Sequence, residues 1–205
     1  LSGFLITSLL LKEFDDTGKI DFLKFYSRRW FRLAPALMLL LLVYVFVLYA
    51  FVSGASFLKQ GVDVALAMTY TTNWARAWSL KESADLGHTW SLAVEAQFYL
   101  LWPFVVWALL KLLRKNSNLI SIFVCLAITS LAIRLYLLNQ GATIERVYNG
   151  LDTRFETLVW GAVLAAYMRV RRPQASACSA MYLDWAACFA LITLFLEAQW
   201  TSALY

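Results

Sequence analysis

The sequence predicts an all-α protein, a polytopic bundle of transmembrane helices with five spans plus the end of a sixth. Of the 205 residues, 61% are hydrophobic and only 15% are charged, and the mean hydropathy is +0.64. Soluble globular chains are about 45–50% apolar and about 25% charged. The apolar residues here are also concentrated in long runs, which a water-soluble core of this size cannot bury. The same composition excludes intrinsic disorder, which requires low hydrophobicity.

The predicted spans are apolar runs of about 20 residues, the length that crosses a bilayer core of roughly 30 Å. Leu1–Leu11 is an apolar stub that ends too soon to span. The chain begins and ends in apolar segments, so we expect residues 1–205 to be one partial membrane domain, truncated at both ends. A short fourth span extends back to Leu151. The five spans, in order, are Ala34–Ser53, Trp90–Leu113, Leu119–Leu138, Phe155–Met168 and Tyr182–Tyr205.

The positions of the basic residues predict the orientation of these spans. Most of the 18 Lys and Arg residues lie within 12–32, 111–115 and 169–172. These three places fall on one side of the membrane if every span crosses once. Because short cytoplasmic loops are enriched in Lys and Arg, we expect that side to be cytoplasmic. The loops Gly54–Thr89 and Asn139–Gly150 are then external.

Glu95 is a carboxylate within a predicted span, near its external end. A charge in hydrocarbon costs at least ~2.5–3.5 kcal/mol, so such a residue calls for a partner or a function. His88, Ser91 and Glu95 recur at about one helical turn, which places an imidazole, a hydroxyl and a carboxylate on nearby faces. Spacing alone supports two interpretations equally, namely active chemistry and an ion pair between Glu95 and an Arg of a neighbouring helix.

Several tryptophans lie close to the same external boundary. Trp74, Trp78 and Trp90 are typical of an interfacial aromatic belt. The alternative is a platform on which a sugar ring stacks.

Arg29 and Arg32 form a second candidate site. They are three residues apart and share a helical face just before Pro35 and the first full span. Their charge favours a membrane anchor on the cytoplasmic side. The alternative is a cradle for phosphates, because a guanidinium offers two donors at once to a phosphate.

A third candidate site lies at the start of the helix that follows the second external loop. Asp152 is well placed to cap that helix, and Arg154 and Glu156 follow it. One interpretation is a capped helix start with a local ion pair. The other is that Arg154 faces Glu95 in a central cavity.

Metal chemistry is not expected. Cys125, Cys178 and Cys188 are widely spaced, and no pair of them reads as a metal or redox motif. The chain has a single His, which makes a His-based metal site improbable.

Four segments, in order along the chain, together resemble the acyltransferase 3 family. They are Ser2–Ile6 (SGFLI), Arg28–Pro35 (RRWFRLAP), His88–Pro103 (HTWSLAVEAQFYLLWP) and Asp152–Ala165 (DTRFETLVWGAVLA). Members of this family are integral membrane enzymes that transfer acyl groups, commonly acetyl from acetyl-CoA, to sugars of surface polysaccharides and related acceptors. The resemblance therefore implies a membrane O-acyltransferase that uses acetyl-CoA or another acyl-CoA as donor and needs no metal.

The resemblance also implies roles for individual residues. Arg29 and Arg32 match the family's RxxR motif and would bind the donor, through its phosphates. Glu95 would have a supporting role in catalysis, while Trp90, Ser91 and Arg154 would contact the substrate. The family's catalytic His lies in a helix upstream of Leu1, and His88 does not replace it. Many members carry an Asp at the position of Glu156, which is a departure of this chain from the pattern.

The implied setting is a bacterial inner membrane with the basic loops in the cytoplasm. The expected partners are membrane lipid and a carbohydrate acceptor, and no nucleic acid is expected. Two other functions are compatible with the same features. A transporter or flippase half also needs charges at mid-membrane and a central cavity. A non-catalytic membrane protein of the same fold is the second alternative.

The predicted orientation can be tested with two single cysteines in a background that lacks the three native ones. A cysteine at Ser56, in the external loop, should react with an impermeant maleimide in whole cells whose outer barrier has been opened. A cysteine at Ser117, beside the cytoplasmic Lys and Arg cluster, should not react until the cells are lysed. The opposite labelling pattern would reverse the topology.

Overall fold

The computed structural model describes residues 1–51, 55–80, 85–113 and 116–171, and most of these residues are helical. No strand occurs within these ranges, so the all-α prediction is confirmed for them. The contacts divide the chain into two units, Leu1–Val170 and Arg171–Tyr205. The second unit lies almost entirely outside the described residues.

Eight α-helices and one 3₁₀ turn follow one another in these described ranges. The 3₁₀ turn, Gly87–Thr89, leads directly into the fifth helix. The helices are α1 Ser2–Thr17, α2 Phe22–Phe51, α3 Ala55–Met68, α4 Thr72–Ala77, α5 Trp90–Leu112, α6 Asn116–Asn139, α7 Ile144–Asn149 and α8 Leu151–Arg171.

Three helices among the described residues are long and apolar enough to cross a membrane, Phe22–Phe51, Gly87–Leu112 and Asn118–Asn139. They correspond to the first three predicted spans. The predicted span Phe155–Met168 lies within α8, but charged residues on either side interrupt its apolar run. The predicted span Tyr182–Tyr205 lies outside the described residues. The count of five spans therefore remains a prediction.

Helix α2 begins well before the span predicted for it. The prediction starts at Ala34, whereas the helix starts at Phe22 and runs for 30 residues through Pro35. At about 1.5 Å per residue, such a helix is about 45 Å long. The basic segment is consequently not a loop, because Arg29 and Arg32 lie on the same continuous helix as the apolar span.

The turn between α1 and α2 is made at a glycine. Helix α1 ends at Gly18, which adopts a left-handed conformation with φ 68°, and its N–H donates to the Phe14 carbonyl over 2.8 Å. Glycine is favoured at such a position because a Cβ would be strained there. The turn reverses the chain so that the start of α2 lies beside the end of α1.

Helices α1 and α8 touch through two glycines. A Cβ added to Gly3 would lie 1.8 Å from the Leu158 carbonyl oxygen, and one added to Gly161 would lie 2.6 Å from the Phe4 nitrogen. Small residues let helix backbones approach closely, which is a common way for helices to associate in membranes. The contact brings the first turn of α1 against the middle of α8.

Helix α1 also packs on α5. The Trp102 Nε1 donates to Thr7 Oγ1 over 2.8 Å, and both residues are fully buried. The Trp102 ring also stacks on Phe98, with the centroids 4.9 Å apart, and contacts Phe123 of α6 and Phe155 of α8. Helices α1, α5, α6 and α8 therefore share one aromatic core.

The glycine contact predicts that even a methyl side chain at Gly3 lowers the stability of the protein. Gly3→Ala places a methyl group against backbone atoms of Leu158 that cannot move independently of α8. Overpacking of this kind costs about 1–3 kcal/mol. The variant should therefore melt at a lower temperature in detergent.

Gly61→Ala is the matched control, because a Cβ at Gly61, on α3, meets nothing within 4 Å. Alanine is also the better helix former, so this control should keep or slightly raise the melting temperature. Equal melting temperatures for the Gly3 variant and the unmodified protein would contradict the close contact.

Candidate active site

The Glu95 carboxylate lies in α5, about 7 Å along the axis from the start of the helix. It is half-buried, and each of its oxygens accepts a hydrogen bond from a hydroxyl. Ser2 Oγ donates to Oε1 over 2.9 Å, and Tyr99 Oη donates to Oε2 over 3.0 Å. An ionised carboxylate only accepts hydrogen bonds, and the two hydroxyls supply one donor to each of its oxygens.

Neither hydroxyl was among the residues singled out from the sequence. Ser2 comes from α1, 93 positions away in the chain, and no local pattern connects it with Glu95. Tyr99 follows Glu95 by four residues, so the helical period did contain that signal. Both residues lie in segments that carry the family resemblance.

One small cavity brings together four residues that the sequence analysis selected. It has a volume of about 170 Å³ and is lined by Trp90, Ser91, Glu95 and Arg154, together with Val94, Thr157 and Leu158. Helix α5 supplies one wall and α8 the other. The arrangement can hold a hydroxyl group between a carboxylate and a guanidinium.

Aromatic rings hold the Arg154 guanidinium in this cavity. Its Cζ lies 4.1 Å from the centroid of the Tyr148 ring and 5.6 Å from that of Trp90. Its Nε also donates to the Tyr148 carbonyl over 2.9 Å. A cation over an aromatic face is stabilised by the ring's quadrupole. These contacts therefore position Arg154 while using only its Nε as a hydrogen-bond donor.

The expected helix cap and local ion pair at the start of α8 were wrong. Asp152 lies inside the first turn, where it forms a bidentate ion pair with Arg146, with one N–O distance of 2.9 Å. That hydrogen bond raises the pKa of the Arg146 guanidinium, although burial acts in the opposite direction. Glu156 pairs with Arg134 of α6 instead of Arg154. Helical periodicity carried no information about these partners, because they lie on other elements.

Arg29 and Arg32 line different cavities. Arg32 is exposed and, with His88 and Ser91, lines a cavity of about 300 Å³ beside the start of α5. Arg29 lines two others and lies over the Phe25 ring, with its Cζ 4.9 Å from the centroid. The Nε and Nη2 of Arg29 are buried and donate no hydrogen bond to any described residue.

One of the Arg29 cavities is an apolar groove between α2 and α5. Its volume is about 470 Å³, and its lining includes Tyr26, Tyr70, Gln97 and Tyr99. Tyr99 therefore lies in the groove while its hydroxyl donates to Glu95, which lines the small cavity beyond. A single hydrogen bond connects the two spaces.

Gln97 fixes the far wall of this groove. Its Nε2 donates to the Tyr70 carbonyl over 2.7 Å and to Asn73 Oδ1 over 2.9 Å. Its Oε1 accepts from Trp74 Nε1 over 3.2 Å. The amide thus ties α4 and the turn before it to α5, while the Trp74 ring stacks on Trp78 with the centroids 5.0 Å apart.

His88 lies at the mouth of the Arg32 cavity, with its Nδ1 3.0 Å from the Asp85 carbonyl oxygen. Within the part of the chain that the structure describes, no group of three His, Cys, Asp or Glu residues is arranged to hold a metal ion.

Comparison with known proteins agrees with these features. A family model described as an acyltransferase domain, of the acyltransferase 3 type, matches residues 1–205. The O-acetyltransferase OatA of Staphylococcus aureus strain NCTC 8325 is 37% identical over 174 residues, which cover 80% of this chain and 28% of that protein. OatA of strain COL gives the same identity and coverage.

The chain spans less than a third of the length of these relatives. No solved structure matches it. The family match, in contrast, extends over every residue of the chain and includes all the segments that form the cavities described above. The chain therefore belongs to the acyltransferase 3 family.

Proposed function

We propose that the protein of which this chain is a part transfers an acyl group, most simply acetyl, from acyl-CoA to a hydroxyl of a cell-surface carbohydrate. The observation that carries the proposal is the hydrogen bond between Tyr99 and Glu95. On one side of it lies a groove that contains Arg29, and on the other a small cavity that contains Arg154. Such an arrangement suits a donor and an acceptor that approach from opposite sides.

In this proposal, Arg29 and Arg32 contact the donor at successive turns of α2. The acceptor hydroxyl enters the cavity formed by Trp90, Ser91 and Arg154. A general base takes the hydroxyl proton as the oxygen attacks the thioester carbonyl carbon. The new C–O bond forms, the C–S bond breaks, and the proton is returned to the departing thiolate of CoA.

Glu95 has a positioning role in this reaction. Its carboxylate is held by two hydroxyls, so its direction is set before any substrate binds. A fixed negative charge beside the acceptor hydroxyl stabilises the cation that forms when a neutral base takes the proton. Localisation in a bacterial inner membrane, with the basic end of the helices in the cytoplasm, supplies acyl-CoA on the required side.

The direct test is transfer of labelled acetyl from acetyl-CoA to cell-surface polysaccharide by the full-length protein in proteoliposomes. Labelled product that depends on both substrates supports the enzyme. A transporter would move polysaccharide or lipid-linked sugar without consuming acetyl-CoA. A non-catalytic protein would do neither, and either result would overturn the proposal.

The role of Glu95 predicts a specific kinetic defect. Glu95→Gln keeps the shape and one hydrogen-bond acceptor but removes the charge, so the fold should survive. Turnover should fall about tenfold or more, since general acid–base effects of about 10²–10⁴ set the upper range. Turnover per folded molecule and the melting temperature in detergent should be measured together.

Glu145→Gln is the matched control, because it removes an exposed carboxylate on α7 that lines none of these cavities. It should retain normal turnover. A Glu95 variant with full turnover but a lowered melting temperature would make Glu95 a structural residue and remove it from the site.

Arg32 predicts an effect on the donor. In the full-length enzyme, Arg32→Ala should raise the KM for acetyl-CoA far more than the KM for the acceptor. Arg32→Lys should restore donor binding only in part, because an ammonium does not reproduce a planar guanidinium with several donors. Unchanged donor kinetics in a folded variant that lacks both Arg29 and Arg32 would exclude donor binding by these two arginines.

A further inference from the structure

A cleft between the end of α1 and the start of α2 is lined by more cations than anions. Its volume is about 250 Å³. Four basic side chains line it, with Glu13, Asp16, Thr17, Leu9 and Phe25 completing the wall. The basic residues are Lys12, Lys24, Arg28 and Arg29.

The basic side chains converge from two helices. Lys24 and Arg28 are four residues apart and therefore neighbours on one face of α2, and Lys12 faces them from α1. Like charges at this spacing repel each other. One of the two carboxylates, that of Glu13, already accepts the Asp21 backbone N–H over 3.1 Å. A ligand with several negative charges would relieve the repulsion.

Arg29 supplies an independent observation. Its Nε and Nη2 are buried, and they have no hydrogen-bond partner among the described residues. Buried donors in native proteins are almost always satisfied by protein, water or ligand. Arg29 lines both the basic cleft and the apolar groove, so these donors lie where one space meets the other.

We propose that the phosphates of acyl-CoA bind in this cleft to Lys12, Lys24 and Arg28, while Arg29 meets the donor's pantetheine arm as it enters the groove. This inference rests on the proposed function, which makes acyl-CoA the donor. It revises the expectation that Arg29 and Arg32 hold the phosphates together, because Arg32 lines a separate cavity with His88. The groove begins at Arg29 and is lined mostly by apolar side chains. Such a lining suits a long uncharged arm better than it suits a phosphate.

The test measures equilibrium binding of CoA and of 3′-dephospho-CoA to the full-length protein in nanodiscs. The unmodified protein should bind CoA more tightly, since CoA carries the additional phosphate. The double variant Lys24→Ala, Arg28→Ala removes two exposed side chains and should fold normally. Its affinity for CoA should fall about ten- to hundredfold, because hydrogen bonds to charged groups contribute strongly. It should also no longer distinguish CoA from 3′-dephospho-CoA.

The matched control is the double variant Lys19→Ala, Lys111→Ala. It removes the same charge from the same end of the helices, but neither residue lines the cleft. It should bind CoA within about twofold of the unmodified protein, which separates specific contact from general electrostatic attraction.

The outcomes distinguish this inference from the function on which it rests. If the unmodified protein binds CoA and the cleft variant binds it equally well, the cleft is not the phosphate site, while the proposed donor stands. If both double variants weaken binding to the same extent, the effect is one of net charge and the cleft assignment is overturned. If the unmodified protein binds neither ligand, the proposed donor itself is wrong.

Discussion

The close approach of α1 to α8 at Gly3 and Gly161 is the constraint on which the candidate site depends. Because Ser2 immediately precedes Gly3, the contact that seats α1 on α8 also places the Ser2 hydroxyl on Glu95. A larger side chain at the crossing would move α1 outward and leave one carboxylate oxygen without its donor. Burying a charge with too few hydrogen bonds is costly, so helix packing and site chemistry are coupled.

Partners for the charges inside the helices come mostly from other elements. Glu156 of α8 pairs with Arg134 of α6, and Arg154 lies over the rings of Tyr148 and Trp90. These contacts reduce the free-energy cost of placing ionised side chains in the hydrocarbon region of a membrane. Buried polar atoms without a hydrogen-bond partner among the described residues include Nε and Nη2 of Arg29, Oε2 of Glu156 and Nη1 of Arg169. Arg29 is distinguished by its position, since it lines both the basic cleft and the apolar groove.

The sequence predicted those features that depend only on the order of residues within one segment of the chain. The length of an apolar run was enough to find α5 and α6, and the charge of Glu95 was enough to mark it as unusual. Contacts between elements were beyond such reasoning, as with Ser2 on Glu95 or Arg146 on Asp152. The shared face of Arg29 and Arg32 was also a poor guide to a shared site. Successive turns of α2 contact different neighbours, because Arg29 lines a cleft with the end of α1 and Arg32 lines a cavity with the start of α5.

Helices α1 and α8 contact each other near both ends of α1. The glycine crossing joins them near Ser2, and Arg169 joins the other end by a bidentate ion pair with Asp15, with one N–O distance of 2.9 Å. Gly3 and Asp15 lie near opposite ends of α1, so α1 is held against α8 at two separate places. Separating α1 from α8 would therefore break the ion pair as well as the close backbone contact.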